Sequence, residues 1–259
     1  MQLQWIHSVL AGLTGAAGVK VLDVAYQEYR DRRKSRADDE EILVRHQDPI
    51  LKAAVELVGK IRALAQHDFS DLLQISQAAQ SEDGLMEVLN VLFLHGQFWA
   101  RIQILRQESV SINLGKTVAG KHLRAFFETL ESRGVRIEDR GFQRGMGEAL
   151  ISGSTDALRS INFYEFVDRY LSSPQFRSWY EPFRQRLVRL TPDDRQQLLV
   201  HGTVIHAMID TLDPTHLVDR ERLGYPNKLR KKARNILRYQ VFGKYLDFVT
   251  DAAKYTGRE

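Results

Sequence analysis

Leu85-Met-Glu-Val-Leu-Asn-Val-Leu-Phe-Leu-His-Gly-Gln-Phe-Trp-Ala-Arg-Ile-Gln-Ile-Leu-Arg-Gln-Glu108 is the stretch whose period decides the fold class. Leu85, Val88, Leu89, Leu92, Phe93, Trp99, Ile102 and Leu105 fall near i, i+3, i+4, i+7 spacing, the signature of one helix face. Over 49–65, Ile50, Ala53, Ala54, Leu57, Val58 and Ile61 repeat the pattern. Helical periods continue over roughly 118–132, 143–152, 161–172, 175–190, 193–212 and 227–254. Val110-Ser-Ile-Asn-Leu114 alternates like a strand, but one short strand has nothing to pair with. The sequence therefore predicts an all-α fold with a multi-helix globular domain over 48–255.

Proline placement sharpens the boundaries. Asp48-Pro49, Ser173-Pro174, Thr191-Pro192 and Asp213-Pro214 each set a good N-cap before a proline. Proline at the first helical position loses no hydrogen bond, and the preceding side chain can accept from the orphan N–H groups. Helix starts are expected near 49, 174, 192 and 214. Thr191 with Asp194 is an Asp-containing variant of the capping box. No proline falls between Pro49 and Pro174, which permits long helices there.

The chain of 259 residues is 43% hydrophobic and 27% charged, which excludes disorder as a whole. It holds no Cys, which excludes a disulfide scaffold or a Cys-based zinc site. Neither an internal repeat nor a low-complexity tract is present.

The N-terminus has a different character. Residues 3–19 carry no charge and would span about 25 Å as a helix, near the lower limit for crossing a bilayer. Extending to Ala25 admits Lys20, which can snorkel, and Asp23, which can pair with it. Arg30-Asp-Arg-Arg-Lys-Ser-Arg36 follows, and basic residues beside a span stay on the cytoplasmic side. Trp5 at one edge and Tyr26 and Tyr29 at the other resemble interfacial aromatics. The expected organisation is a transmembrane anchor over 1–29, a charged linker over 30–47 and a cytoplasmic helical domain, with the N-terminus outside the inner membrane. The alternatives are an amphipathic helix lying on the membrane and a helix packed into a soluble core. A signal peptide fits worse, since no positive charge precedes Leu3. Ser8, Gly12 and Ala16 recur every four residues and form a small-residue stripe on which two such helices could dimerise.

Motifs for chemistry are weak. Gly115-Lys116-Thr117 imitates the end of a phosphate loop, but Val110 stands where the first glycine belongs. Gly141, Gly145 and Gly147 lack dinucleotide-binding spacing and read better as close helix crossings. Arg144 and Glu148 are four apart and able to pair. His206, Asp210 and His216 form a conceivable metal trio, but no recognised ligand spacing supports it. His95, inside an apolar helix, reads as a hydrogen-bonded core residue. The aromatic run Phe163, Tyr164, Phe166, Tyr170, Phe176, Trp179, Tyr180 and Phe183 reads as packing between two helices. No cofactor and no metal is expected, and no catalytic residue stands out. Arg106, Glu108, Arg144 and Glu148 are the charged residues inside otherwise apolar helices. They are the one polar-cluster candidate for an enzyme whose site is assembled from distant positions, and ordinary ion pairing is the alternative reading.

Charge collects near the C-terminus. Over 219–244, Arg220, Arg222, Lys228, Arg230, Lys231, Lys232, Arg234, Arg238 and Lys244 oppose only Asp219 and Glu221. This local excess exceeds the net +4 of the whole chain, so the remainder is acidic. Leu229, Ala233, Ile236, Leu237, Phe242, Tyr245 and Phe248 supply an apolar side. A basic amphipathic helix suits anionic lipid headgroups, an acidic protein partner or a nucleic-acid backbone. A core helix with a solvated basic face is the alternative.

Asp48-Pro-Ile-Leu51, Ile104-Leu-Arg-Gln-Glu108 followed by Ile112-Asn-Leu-Gly115, Gln143-Arg-Gly-Met-Gly-Glu148, Phe166 with Tyr170, and Leu212-Asp-Pro214 occur in that order. Together they resemble a widespread family of uncharacterised bacterial all-helical proteins with an N-terminal membrane helix and a basic linker. The likeness covers most of 48–214 and departs at Arg101, where an aromatic residue is expected. It implies architecture and no catalytic residue. The sequence thus points to a membrane-anchored scaffold or interaction module, and secondarily to a nucleic-acid-binding protein using the same basic segment.

Overall fold

Twelve consecutive residues, Leu198–Ile209, are all buried, so the helix that carries them lies at the centre of the fold. The computed structural model describes residues 41–70, 72, 82–108, 114–154, 157–218, 220 and 224–257. The helices are α1 (41–66), α2 (Glu82–Glu108), α3 (Val118–Leu130), α4 (Arg140–Ala149), α5 (Phe163–Ser172), α6 (Pro174–Val188), α7 (Pro192–Leu212), α8 (Lys231–Asn235) and α9 (Ala252–Thr256). The fold is mostly helical. Residues Leu43–Glu259 form one compact unit.

The long helices run side by side. His46 on α1 bonds Glu108 on α2 at 2.8 Å, and Lys60 bonds Glu87, so α1 and α2 are antiparallel. Gln47 donates to the Leu212 carbonyl at 2.9 Å, while Ile61 lies beside Gly202, so α1 also runs antiparallel to α7. Ile50, Ala54, Leu57, Leu89, Leu92, Trp99, Val204 and Ile205 are buried along these three helices. α4, α5 and α6 pack on α2, and α3 packs on α7.

The starts at 174 and 192 are where the proline reading puts them. Ser173 accepts from the Phe176 N–H, and Thr191 and Asp194 cap each other reciprocally. The starts at 49 and 214 are not. α1 is already helical at residue 41 and runs through Pro49, so 41–47 are helical. An interior proline costs about 3 kcal/mol. Burial of Leu43 before it and of Ile50 and Leu51 after it offsets that cost. Asp48 is not a cap but pairs with Lys52 one turn on. α7 ends at Leu212, and Asp213 instead accepts from the Leu217 and Val218 N–H groups, closing a turn.

Two elements depart from the expected pattern. Ile151–Ser152 and Arg159–Ser160 form an antiparallel pair, with Ile151 opposite Ser160. Gly153, at φ 114°, turns the chain out of the first strand. The expected helix over 227–254 is broken. A 3₁₀ turn at Pro226–Lys228 precedes α8, Ile236–Tyr245 is π-helical, and a turn separates that segment from α9.

Among the described residues no helix is long and apolar enough to cross a membrane. The anchor 1–29, the stripe Ser8, Gly12 and Ala16, the basic run 30–36, Arg222 and residues 110–113 of the strand-like stretch all lie outside the described residues.

Candidate functional site

The basic C-terminal segment presents a continuous solvent face. Arg230, Lys231, Lys232, Asn235, Tyr239, Gln240, Lys244 and Tyr245 are exposed, while Leu229, Ala233, Leu237, Val241 and Phe242 are buried. The separation of apolar and basic sides is partial: Tyr245, expected on the apolar side, is exposed, Ile236 borders the lysine-lined depression, and the backbone changes from α to π along the segment. Not every cation is available. Lys228 pairs with Asp68 at 2.8 Å, Arg230 approaches Asp193 at 3.7 Å, and Arg238 donates to the Gly257 carbonyl at 3.0 Å. Arg234 is half-buried and Arg220 exposed. Lys231 and Lys232 have no acidic partner among the described residues, and they line a shallow depression with Asn235, Ile236, Tyr239 and Gln240. Tyr239 and Tyr245, 62% and 48% exposed, lie along the same face.

The four charged residues inside apolar helices do not gather at one point. Glu108 pairs with His46, and Glu148 stays exposed. Arg106 and Arg144 do converge, on Glu131, which sequence reading missed. Arg106 donates Nη1 to Oε1 at 2.7 Å. Arg144 donates Nε to Oε1 at 2.9 Å and Nη2 to Oε2 at 2.7 Å, so its partner is Glu131 rather than Glu148. Arg140 approaches Oε2 at 3.5 Å. Glu131 follows α3 in the stretch Glu131-Ser-Arg-Gly134, whose composition suggests a solvated turn, yet its side chain is only 3% exposed. Burial alone would raise its carboxyl pKa. The hydrogen bonds and charges of Arg144 and Arg106 outweigh that and hold it below the usual value. A cavity of about 550 Å³ opens over the cluster.

Glu131→Gln is expected to destabilise the fold by about 2 kcal/mol. Removing one partner of a fully buried pair costs roughly 3–5 kcal/mol, and the arginines' partial hydration reduces that figure. Urea denaturation reads the difference, and an unchanged midpoint would refute it.

The other candidates take structural places. Thr117 caps α3 by accepting from the Gly120 N–H, so Gly115-Lys-Thr117 is a helix entry. A Cβ on Gly147 would lie 2.6 Å from the Trp99 carbonyl carbon, and one on Gly145 would strike the Trp179 ring, so both glycines serve close crossings. Asp210 accepts from Tyr255 Oη at 2.5 Å, pairs with Lys254 at 2.9 Å and stands 3.7 Å from His206. Among the described residues no group of three or more His, Cys, Asp or Glu is placed to hold a metal ion. In the aromatic run, Phe166, Tyr170, Tyr180 and Phe183 are buried, with Phe166 and Tyr180 centroids 5.2 Å apart, whereas Tyr164 is exposed.

His95 corrects an expectation. It is fully buried, but neither ring nitrogen has a hydrogen-bond partner among the described residues. Its surroundings are the rings of Phe183, Trp99 and His201, the last at a centroid distance of 5.4 Å. His201 holds its Nδ1 3.1 Å from the Val135 carbonyl, which fixes that nitrogen as the protonated one. Burial first, and then the neighbouring His201, press the His95 pKa well below the usual value.

Compared with known proteins, the chain matches no family model, no curated protein and no solved structure.

Proposed function

We propose that this chain is a membrane-tethered helical interaction module whose C-terminal basic face rests on anionic lipid headgroups. The observation that carries the reading is the exposed row Lys231, Lys232 and Lys244 with Tyr239 and Tyr245, in a segment (222–246) without a single acidic residue. Lysines near an anionic surface contribute about 1 kcal/mol each, and exposed tyrosines suit the headgroup layer, where one end of the ring is wet and the other is not. Support for the tether comes from the uncharged run 3–19 followed by the basic run 30–36, which orients the domain toward the cytoplasm by the positive-inside bias. With a tether, the nearest polyanion to the basic face is the inner leaflet. Self-association through Ser8, Gly12 and Ala16 and the resemblance in the 48–214 blocks belong to the same proposal.

Two measurements test it. Native protein is expected to resist carbonate extraction and to yield to detergent, and release by carbonate would end the tether reading. With the full chain in lipid nanodiscs, a water-soluble acylating reagent is expected to modify Lys231 and Lys232 several-fold more slowly on phosphatidylserine discs than on phosphatidylcholine discs. That difference should vanish at about 1 M salt, where screening shortens to roughly 3 Å. Equal rates on both discs, together with salt-dependent binding of duplex or single-stranded nucleic acid, would move the face to the nucleic-acid reading.

A further inference from the structure

We propose that Arg106, Arg140 and Arg144, braced by the buried Glu131, form a binding site for the phosphate of a phosphomonoester. This site is separate from the basic C-terminal face and stands independently of the tether.

Charge balance supports it first. Three guanidinium groups from α2 and α4 converge on Glu131, and the cavity lining as a whole holds four arginines and two glutamates, a formal excess of two positive charges. Arg124 and Glu128 at the margin pair with each other at 2.8 Å and add nothing net. A phosphomonoester above its second pKa of about 6 carries close to two negative charges. A monocarboxylate would neutralise only half the excess.

The donor inventory supports it next. Each guanidinium has five N–H donors in a planar fork, a geometry that matches tetrahedral oxyanions. Glu131 engages two donors of Arg144, and it touches Arg140 only at ion-pair distance. Both retain donors for a ligand. The carboxylate itself is buried beneath them, while Arg140 and Arg144 are 55% and 42% exposed, so Glu131 orients the forks without obstructing the opening. Orientation established before binding lowers the entropy lost on binding.

Space supports it last. The cavity of about 550 Å³ lies within the range of small-molecule sites and is far larger than a phosphate needs. Phe127 forms an apolar wall, and the Arg106 guanidinium sits 5.8 Å from its ring centroid. That wall suits the organic part of an ester. The phosphate could belong to a soluble metabolite or to a lipid headgroup, since the recognised chemistry is the same.

Calorimetry on the full chain in neutral detergent, titrated with glycerol 3-phosphate, tests the proposal. Saturable binding with Kd below about 1 mM is expected. Loss of one charge-assisted arginine contact should weaken it about tenfold in Arg140→Ala. Arg140 is exposed and donates no hydrogen bond to Glu131, so that variant should keep its thermal midpoint. Lys231→Glu with Lys232→Glu should bind the ester as the unmodified chain does. A parallel arm uses phosphatidic acid in phosphatidylcholine vesicles. Binding there that depends on Arg140, with none to the soluble ester, assigns the phosphate to a headgroup and still supports the site. Absence of saturable binding in both arms, or affinities unchanged in both Arg140→Ala and Arg144→Gln, overturns it.

Discussion

Between pH 6.5 and pH 4 the folded chain is expected to lose about 3 kcal/mol of stability through His201 alone. Burial pushes the pKa of this imidazole down from 6.5 to about 4, because the surrounding core cannot solvate the cation. In the unfolded chain the ring protonates near 6.5. Inside this window the unfolded state therefore binds more protons than the native state, and stability falls as pH falls. His201 contributes about 2 kcal/mol of loss by pH 5, and the rest accumulates as pH approaches 4. His95 steepens the decline. It is fully buried, its pKa is depressed in the same direction, and a charge on either ring opposes a charge on the other across 5.4 Å. Urea denaturation at half-unit steps of pH measures the slope directly. His95→Leu removes one titrating group and two unbonded ring nitrogens while keeping an apolar side chain of similar size. It should flatten the slope and leave stability at pH 7 unchanged or improved, since deleting an unsatisfied buried polar group removes its desolvation penalty. Stability that stays level from pH 6.5 to pH 5, or an identical slope in the variant, would contradict the account.

This pair shows what a one-dimensional reading can and cannot see. The period that places His95 on an apolar helix face is local, and it correctly puts the residue in the core. Whether a partner waits there depends on α7, more than a hundred residues away. Glu131 is the sharper case. Its neighbours Ser132, Arg133 and Gly134 are turn formers, and nothing local signals burial. It is buried because α2 and α4 bring guanidinium groups to it, and those distances exist only in three dimensions. Arg106 and Arg144 were visible as charges interrupting apolar helices, but the carboxylate that unites them was not. The long helices α2 and α7 were legible because many turns repeat the same period. The strands Ile151–Ser152 and Arg159–Ser160 are too short to show any period. Proline misled at Pro49 and Pro214 because a cap motif states what a helix start needs, not what surrounding burial tolerates. Within Ile236–Tyr245 the buried Leu237, Val241 and Phe242 follow the expected apolar side, but Tyr245 does not, because the change from α to π winding rotates the positions that an α-helical period assigns.

Gly147→Ala should destabilise the chain by about 3 kcal/mol, with a fall in Tm of roughly 6–12 °C. Intrinsic propensity argues the other way, since alanine in a helix interior is favoured over glycine by about 1 kcal/mol. Packing outweighs propensity here. The new methyl would stand 2.6 Å from the Trp99 carbonyl carbon, 2.8 Å from its oxygen and 2.9 Å from the Ala100 nitrogen. All three are backbone atoms of α2, so no side chain can rotate aside. α4 must instead lift from α2 by close to an ångström. That movement loosens the contacts of Met146 and Trp99, both fully buried, and strains the 2.7 Å bond from Tyr180 Oη to the Met146 carbonyl. It also shifts Arg144 against Glu131, so loss of the phosphomonoester response should accompany loss of stability. Gly141→Ala on the same helix isolates the propensity effect. Its methyl would meet only Asp139 Oδ1, at 3.6 Å, and the position is exposed. That variant should be neutral or slightly more stable. Equal effects from the two substitutions would mean that α4 does not seat on α2 through Gly147, and the packing account of this helix would then fail.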